Sequence, residues 1–515
     1  MTEKRIVICP LCPYGCALEI KGKEGFPYQI EYLEKSFQGG RLCARGNAIP
    51  LILTHPKRCY QPNLDGKGVS WEKAFFELRK ILSNYSPPSI AVGFDSYLTL
   101  EEKEQVLGLA QSLGVENQFY FNPENICGLR CEGVKEASFA DLVNSDCILV
   151  IGDLFSRFPI FAQPILSARY QNKEKRLLVI DNYPNRLFGF ADRAFLCPNG
   201  CEANIFTNPP QSVSNMLNLF AQAKRGVLIL DSPPGKFLNP LSLIVHSQQF
   251  LRSCPGEKFF LPVVERTTGF GNKPLGEILA RIKSGEIKCL LFFGEVSIFN
   301  EYFDLSPLPH LIGTGSLNFH HLTFKQGALL LPVPHIVERE GSFPSFWGKN
   351  YNQGISSFSG TKEIGEIVER LAKELGITPK KVGFISSRIL SERETKEVLK
   401  GTRLREVAEK QRERDLEICL INQEEAIEYG GFFDKGDRIC LSPISAQRLN
   451  LKEGERVSVG EEGVALRVRI KKDLPEGLGL VSLANRLVKR LMKMEIDNQI
   501  KEVIIRPTYQ KIWKR

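Results

Sequence analysis

VICPLCPYGCALEI, residues 7–20, places Cys9, Cys12 and Cys16 within eight positions, and a fourth cysteine, Cys43, follows in RLCARGNA. Written out, the spacing is Cys-x2-Cys-x3-Cys-x26-Cys. A disulfide would use two of the first three thiols and strand the third, so the count points to a metal centre. A 4Fe-4S cube explains it: three thiolates on one tight loop cap three irons, and the fourth returns from a later segment to close the cube. Pro10, Pro13 and Gly15 help the loop turn sharply. The alternatives are a zinc site, usually built from two separated Cys-x2-Cys knuckles, and a set of unrelated buried thiols.

The rest of the chain is large enough to bury a sizeable cofactor. Its 515 residues correspond to three or four domains at about 150 residues each. No apolar run approaches the roughly 18 residues of a spanning helix, so direct membrane insertion is not expected. The start, MTEKRIVICP, carries no apolar h-region and no twin arginine, which reads as a cytoplasmic protein. In that reducing compartment the 14 cysteines are expected to be free thiols or metal ligands. Lys and Arg outnumber Asp and Glu by 68 to 59, too small an excess to suggest nucleic-acid binding. Part of it lies in the tail NRLVKRLMKMEIDNQIKEVIIRPTYQKIWKR, which suits an anionic cofactor or an acidic partner subunit.

Strand and helix signals alternate through the body. SWEKAFFELRKIL reads as a helix with Ser70 as N-cap, and TLEE opens another with a capping box of Thr99 and Glu102. SIAVGF, CILVIGD and RLLVID are continuous apolar runs of strand length, the texture of a parallel sheet buried on both faces. PLGEILARIKSGEIKCLLFFGE repeats helix, turn and strand, and Ile364, Ile367, Val368, Leu371, Ala372 and Leu375 mark a further amphipathic helix. The charged stretch SERETKEVLKGTRLREVAEKQRERDLE looks like a helical connector. Beyond about residue 417 short strands divided by Gly and Pro indicate a small β-barrel. The expected domains are a cluster domain at 1–58, an α/β body at 59–400 with breaks near 125 and 290, and a barrel at 417–515.

With those residues in view, the chain resembles the molybdenum or tungsten oxidoreductases that bind a pterin guanine dinucleotide. These include formate dehydrogenases and the large iron-sulfur subunit of NADH:quinone oxidoreductase. LCARG is similar to the family's Cys-x-[Lys/Arg]-Gly, which implies that Arg45 lies between cluster and pterin and supports electron transfer with its fixed charge. DLVNSDCILVIGDLFSRFPI and LLVIDNYPNRLFGFADRAFLCPNGCE resemble the strands that hold the guanine dinucleotide, so the resemblance makes Gly152, Asp181, Gly200 and Glu202 candidate cofactor contacts. Taken singly, a glycine or carboxylate after a strand is usually only a turn. VPHIVEREGSFPSFWGK and the stretch around Ala446, Leu449, Gly454 and Gly463 resemble later family segments. The implied fold is α/β: a small N-terminal 4Fe-4S domain, layered parallel-sheet domains and a C-terminal double-psi-type barrel.

Departures from the family divide the functional reading. Catalytic members supply a cysteine or selenocysteine to the metal, usually followed by histidine. Here ENICGLRCEG offers Cys131 as the candidate ligand, a soft anionic donor once deprotonated, with Glu132 where the histidine would stand; an ordinary buried thiol is the plain alternative. Cys127 with Cys131, and Cys197 with Cys201, form two Cys-x3-Cys pairs that would make a second metal site if their loops converged. None of His55, His246, His310, His320, His321 or His335 sits in a ligand motif. One reading is a formate dehydrogenase-type enzyme, with formylmethanofuran dehydrogenase as a neighbouring version, acting on a small-molecule substrate. The other is a pterin-free electron-transfer or scaffold subunit. Either way a single cluster implies an iron-sulfur or flavin partner subunit.

Overall fold

The computed structural model describes residues 3–9, 11–12, 14–22, 29–36, 38–122, 129–171, 174–202, 204–263, 273–317, 327–345, 348–355, 360–382, 389–390, 392, 395, 417–422, 437–483, 486–497 and 502–514. Pro10, Pro13, Cys127, His320, His321 and most of the charged connector lie outside these residues. The chain divides into two compact units, Met1–Asn122 with Glu265–Ser387, and Pro123–Val264 with Arg388–Arg515.

In the first unit, Glu3–Ile8, Ala17–Gly22 and Gln29–Glu31 form an antiparallel three-stranded sheet. Val7 and Leu18 face each other in register and are fully buried, so this small sheet has one apolar face and the cysteine loop is its first connection. Its edge is anchored by side chains: Asn352 Oδ1 accepts the Ile8 N–H at 3.1 Å and Gln353 Oε1 accepts that of Ile6 at 3.1 Å. The main sheet runs Lys67–Gly68, Asn63–Leu64, Ala328–Pro332, His310–Gly315, Cys289–Phe293, Ile90–Asp95, Asn117–Phe121, the last five strands parallel. Every residue of Ile90–Asp95, Cys289–Phe293 and Ala328–Pro332 is buried, as continuous apolar runs require. Helices Trp71–Ser83, Leu100–Ser112 and Ile364–Leu375 share one apolar cluster with this sheet. Ser70 caps the first, and the Thr99–Glu102 capping box is complete.

Two buried arginines of this unit are paired with carboxylates. Arg58 meets Glu338 at 2.7 Å with both side chains wholly buried, and Arg339 meets Glu102 at 3.2 Å. Glu363, beside them, is pushed up to about 7, chiefly by burial; the Arg339 charge opposes this, and Glu102, Glu366 and Glu338 add to it. A carboxyl raised in the fold binds protons that the unfolded chain has already lost, so its cost appears as pH rises from about 4.3 to 7. Glu363→Gln is therefore expected to stabilise the protein by about 2 kcal/mol at pH 8 and to be neutral near pH 4.5. Thermal denaturation across that range checks the sign, and a gain that grows on acidification would contradict it.

The second unit holds an all-parallel sheet in the order Arg193–Leu196, Arg176–Asp181, Cys147–Ile151, Arg225–Leu230, Glu257–Pro262. The chain winds outward from Cys147–Ile151 in both directions, so the crevice beyond the ends of Cys147–Ile151 and Arg225–Leu230 is its topological switch point. The same unit contains a closed six-stranded barrel: Glu417–Asn422, Leu478–Val481, Arg438–Leu441, Val464–Ile470, Arg456–Val459, Thr508–Lys514. Two of its pairings are parallel and the others antiparallel. Ile418, Leu420, Ile439, Leu441, Val457, Val459 and Val468 are buried at alternate positions and fill it.

Candidate functional site

The three-cysteine loop joins the first two strands, and the Cys9 N–H bonds to the Cys16 carbonyl at 2.7 Å across its base. Gly15 takes a φ of +68°, the left-handed turn that brings the chain back. Cys9, Cys12 and Cys16 are buried, and Cys43 is half-buried at the N-cap of the short helix Ala44–Asn47. Burial pushes the Cys16 thiol far above its ordinary range, and Cys12, Cys9 and Cys43 raise it further. The other three thiols therefore lie within electrostatic reach of Cys16. Arg45 is buried and its Nη1 donates to the Leu11 carbonyl at 3.1 Å, strapping the segment of Cys43 to the loop beside Cys12.

This donor set fits a 4Fe-4S cluster: four soft thiols on a buried loop and its return, with a fixed cation alongside. Among the described residues no three His, Cys, Asp or Glu side chains stand at the spacing that a single metal ion requires. A four-iron cube spreads its thiolates more widely than one ion does. Arg45 adds positive charge next to the thiols and favours the reduced, more negative cluster. Arg45→Met is expected to lower the cluster's midpoint potential by tens of millivolts, read by a redox titration followed by electron paramagnetic resonance; an unchanged or higher potential would speak against that placement.

The switch point of the second unit gathers buried polar groups at three strand ends. Gly152 has a φ of +112°, and a Cβ there would overlap the carbonyl of Asp231. Its lack of a side chain is thus required by the neighbouring backbone. Asp181 is fully buried and pairs with Lys236 Nζ at 3.0 Å; it also accepts from Asn185 Nδ2 at 2.6 Å and from the Asn182 N–H at 2.8 Å. Burial pushes its carboxyl up to about 6 despite the lysine. Arg157 pairs with Asp231, and the Tyr183 hydroxyl donates to Asp153 at 2.9 Å. Lys236 and Lys471 lie over the Tyr183 ring, 4.7 and 5.4 Å from its centre.

Gly200 and Glu202 meet in the loop after Arg193–Leu196. Glu202 is fully buried; its Oε1 accepts the N–H of Gly200 at 3.0 Å and that of Leu238 at 3.4 Å, while Oε2 has no hydrogen-bond partner among the described residues. An orphaned carboxylate oxygen in a sheet-edge loop fits the donor edge of a guanine. Asp181, by contrast, is fully engaged within the protein. Cys197 and Cys201 sit beside Glu202, and burial followed by the Glu202 charge raises both thiols. Asn199 Nδ2 donates to Cys419 Sγ at 2.8 Å.

Cys131 occupies the short strand Arg130–Cys131, paired with Ile389–Leu390. Its N–H donates to Gln248 Oε1 at 2.6 Å, its side chain belongs to the apolar cluster with Leu129, Cys147 and Leu149, and burial raises its thiol. Glu132 is exposed. Lys236, Arg157, Asp231 and Tyr183 were not singled out by sequence reasoning. Asp231 ends an apolar strand, RGVLIL, and that position was the one available signal.

With the cysteine loop, the switch-point sheet and the closed six-stranded barrel described, parts of the chain are distantly similar to proteins of the molybdopterin oxidoreductase family. Nitrate reductase of Klebsiella oxytoca is 24% identical over 229 residues, which is 40% of this chain and 25% of that protein. F420-dependent formate dehydrogenase 1 subunit alpha of Methanococcus maripaludis is 23% identical over 188 residues, 34% of this chain and 28% of that protein. The corresponding alpha subunit of Methanocaldococcus jannaschii is 25% identical over 190 residues, with the same shares of 34% and 28%. The matched segments thus span about a quarter of these relatives. Acetylene hydratase from Pelobacter acetylenicus matches 99% of this chain and 100% of its own chain with a TM-score of 0.75 at 14% identity, a likeness of fold. No family model matches the chain. Among the described residues no helix is long and apolar enough to cross a membrane.

Proposed function

We propose that this chain is the iron-sulfur and pterin-binding subunit of a molybdopterin-family oxidoreductase with formate dehydrogenase-type, two-electron chemistry. Residues 1–58 would carry one 4Fe-4S cluster on Cys9, Cys12, Cys16 and Cys43, the body at 59–400 and the barrel at 417–515 the pterin guanine dinucleotide. The observation that carries this reading is the buried loop of Cys9, Cys12 and Cys16, with Cys43 within electrostatic reach of Cys16 and Arg45 strapped to the Leu11 carbonyl. When bound, the pterin's molybdenum or tungsten would exchange an electron pair with a small substrate, and the protein's part is to hold and orient. Glu202 would receive the guanine edge on its unpartnered oxygen, with Gly200 supporting that loop. Cys131 would act as the thiolate ligand, its apolar surroundings keeping it protonated until loading. Electrons would leave to a cytoplasmic iron-sulfur or flavin partner subunit.

One observation favours a second reading, a pterin-free relay like the large iron-sulfur subunit of NADH:quinone oxidoreductase. Asp181 and the space at Gly152 are already taken by Lys236 and by the Asp231 backbone. Metal analysis of protein purified anaerobically from a host that makes the pterin separates the two. About four iron with about one molybdenum or tungsten per chain, together with formate-dependent reduction of a viologen dye, is expected for the enzyme. Iron alone supports the relay, and zinc without iron would remove both.

A further inference from the structure

We propose that the barrel's outer face around Arg438, Arg467 and Arg456 is a docking surface for an acidic segment of a partner protein. The proposal stands apart from the redox reading. Arg438 is the register partner of Arg467 on the neighbouring strand, and Arg467 is in turn the register partner of Arg456 on the next. Three arginines are thereby set side by side across strands spaced about 4.8 Å apart. Arg469, two residues along from Arg467, points to the same side and is exposed. Like charges directly opposite one another weaken a sheet. Arg456 and Arg467, facing each other across two strands, therefore weaken the barrel.

The nearby described carboxylates are engaged away from Arg456 and Arg467. Glu455 is taken by Lys514 at 2.7 Å and by the Lys452 N–H at 2.8 Å; Glu453 accepts the Ile470 N–H at 2.6 Å, and Glu476 pairs with Arg448 at 3.0 Å. Among the described residues neither Arg456 nor Arg467 makes an ion pair or a side-chain hydrogen bond. Trp513 stands opposite Ser458, two residues along from Arg456 on the same face, and is 45% exposed. Residues 437–515 hold seventeen Lys and Arg against ten Asp and Glu, which is seven of the chain's nine net positive charges. Arginine and tryptophan are the side chains that most often anchor protein interfaces. The patch is short and has an apolar flank at Trp513, which suits a protein segment carrying acidic and apolar residues better than the long phosphate track of a nucleic acid.

The test uses the full-length protein and a fluorescein-labelled peptide of about twelve residues alternating glutamate with leucine. Duplex DNA of about 12 base pairs and phosphatidylserine vesicles serve as competing anions. The peptide is expected to bind, with affinity falling at least tenfold in Arg467→Glu and about threefold in Trp513→Ala. Arg467→Glu should also raise the melting temperature by about 1–3 °C, because an alternating row replaces a repelling one. Binding that is absent, that survives Arg467→Glu, or that is matched by DNA or vesicles would overturn the proposal. So would a fall in melting temperature, which would show that internal contacts hold the row.

Discussion

Serine at Cys16 is expected to reduce bound iron from about four per chain to below one and to abolish the broad cluster absorption near 400 nm. A serine hydroxyl is a poor replacement for a soft thiolate, and Cys16 is buried among the other thiols: burial, Cys12, Cys9 and Cys43 all raise it. With Cys16 replaced, two buried cysteines, Cys9 and Cys12, remain in a loop whose base is closed by the backbone bond between positions 9 and 16. Metal binding is folding energy for such a loop, so the small sheet Glu3–Ile8, Ala17–Gly22, Gln29–Glu31 should also become more susceptible to protease. Cys254→Ser, at a half-buried thiol beyond the helix Pro240–Ser253, should leave the iron content unchanged. Full iron in the Cys16 variant would remove the cluster from this loop.

Methionine in place of Lys236 should lower the stability of the second unit by about 3–5 kcal/mol, because it leaves a buried carboxylate without its counter-charge. Both side chains of the Lys236–Asp181 pair are almost wholly inaccessible, at 1% and 0% exposure. For a unit of this size the loss corresponds to roughly 10 °C in melting temperature. Pairing Lys236→Met with Asp181→Asn should restore most of it, since the penalty comes from the abandoned charge. The pH dependence has a definite sign. Burial raises Asp181 to about 6 even beside the lysine, and removing the lysine raises it further, so the folded variant takes up a proton before the parent does and the deficit should shrink as pH falls from 8 towards 6 and level off below that. A single variant as stable as the parent at pH 8 would show that the pair contributes nothing to holding this edge together.

Much of the architecture follows from local chemistry in the sequence. Continuous apolar runs such as CILVI and CLLFF are strands because only a sheet covered on both faces buries every side chain. Ser70 and the Thr99–Glu102 box start helices because their side chains satisfy N–H groups that the helix leaves open. The spacing of the four cysteines raises the expectation of a cluster loop, and in the structure three of them lie buried on one loop. The barrel was legible from its Gly-punctuated strands, but its closure was not: Glu417–Asn422 and Thr508–Lys514 join it through backbone bonds to partners far away in the chain.

The candidate cofactor residues divide in the same way. Gly152, Asp181, Gly200 and Glu202 could be picked out as strand-end residues, but what each one touches could not. Only the tertiary structure shows that the place a side chain at Gly152 would take is filled by Asp231, that Asp181 is held by Lys236, and that Glu202 keeps a buried oxygen without a partner among the described residues. The physical reason is the range of the forces involved. Capping, turn geometry and apolar periodicity act within a few residues, and a sequence displays them directly. A buried ion pair or an orphaned carboxylate depends on which distant strands meet at a crevice, and that meeting is decided by packing.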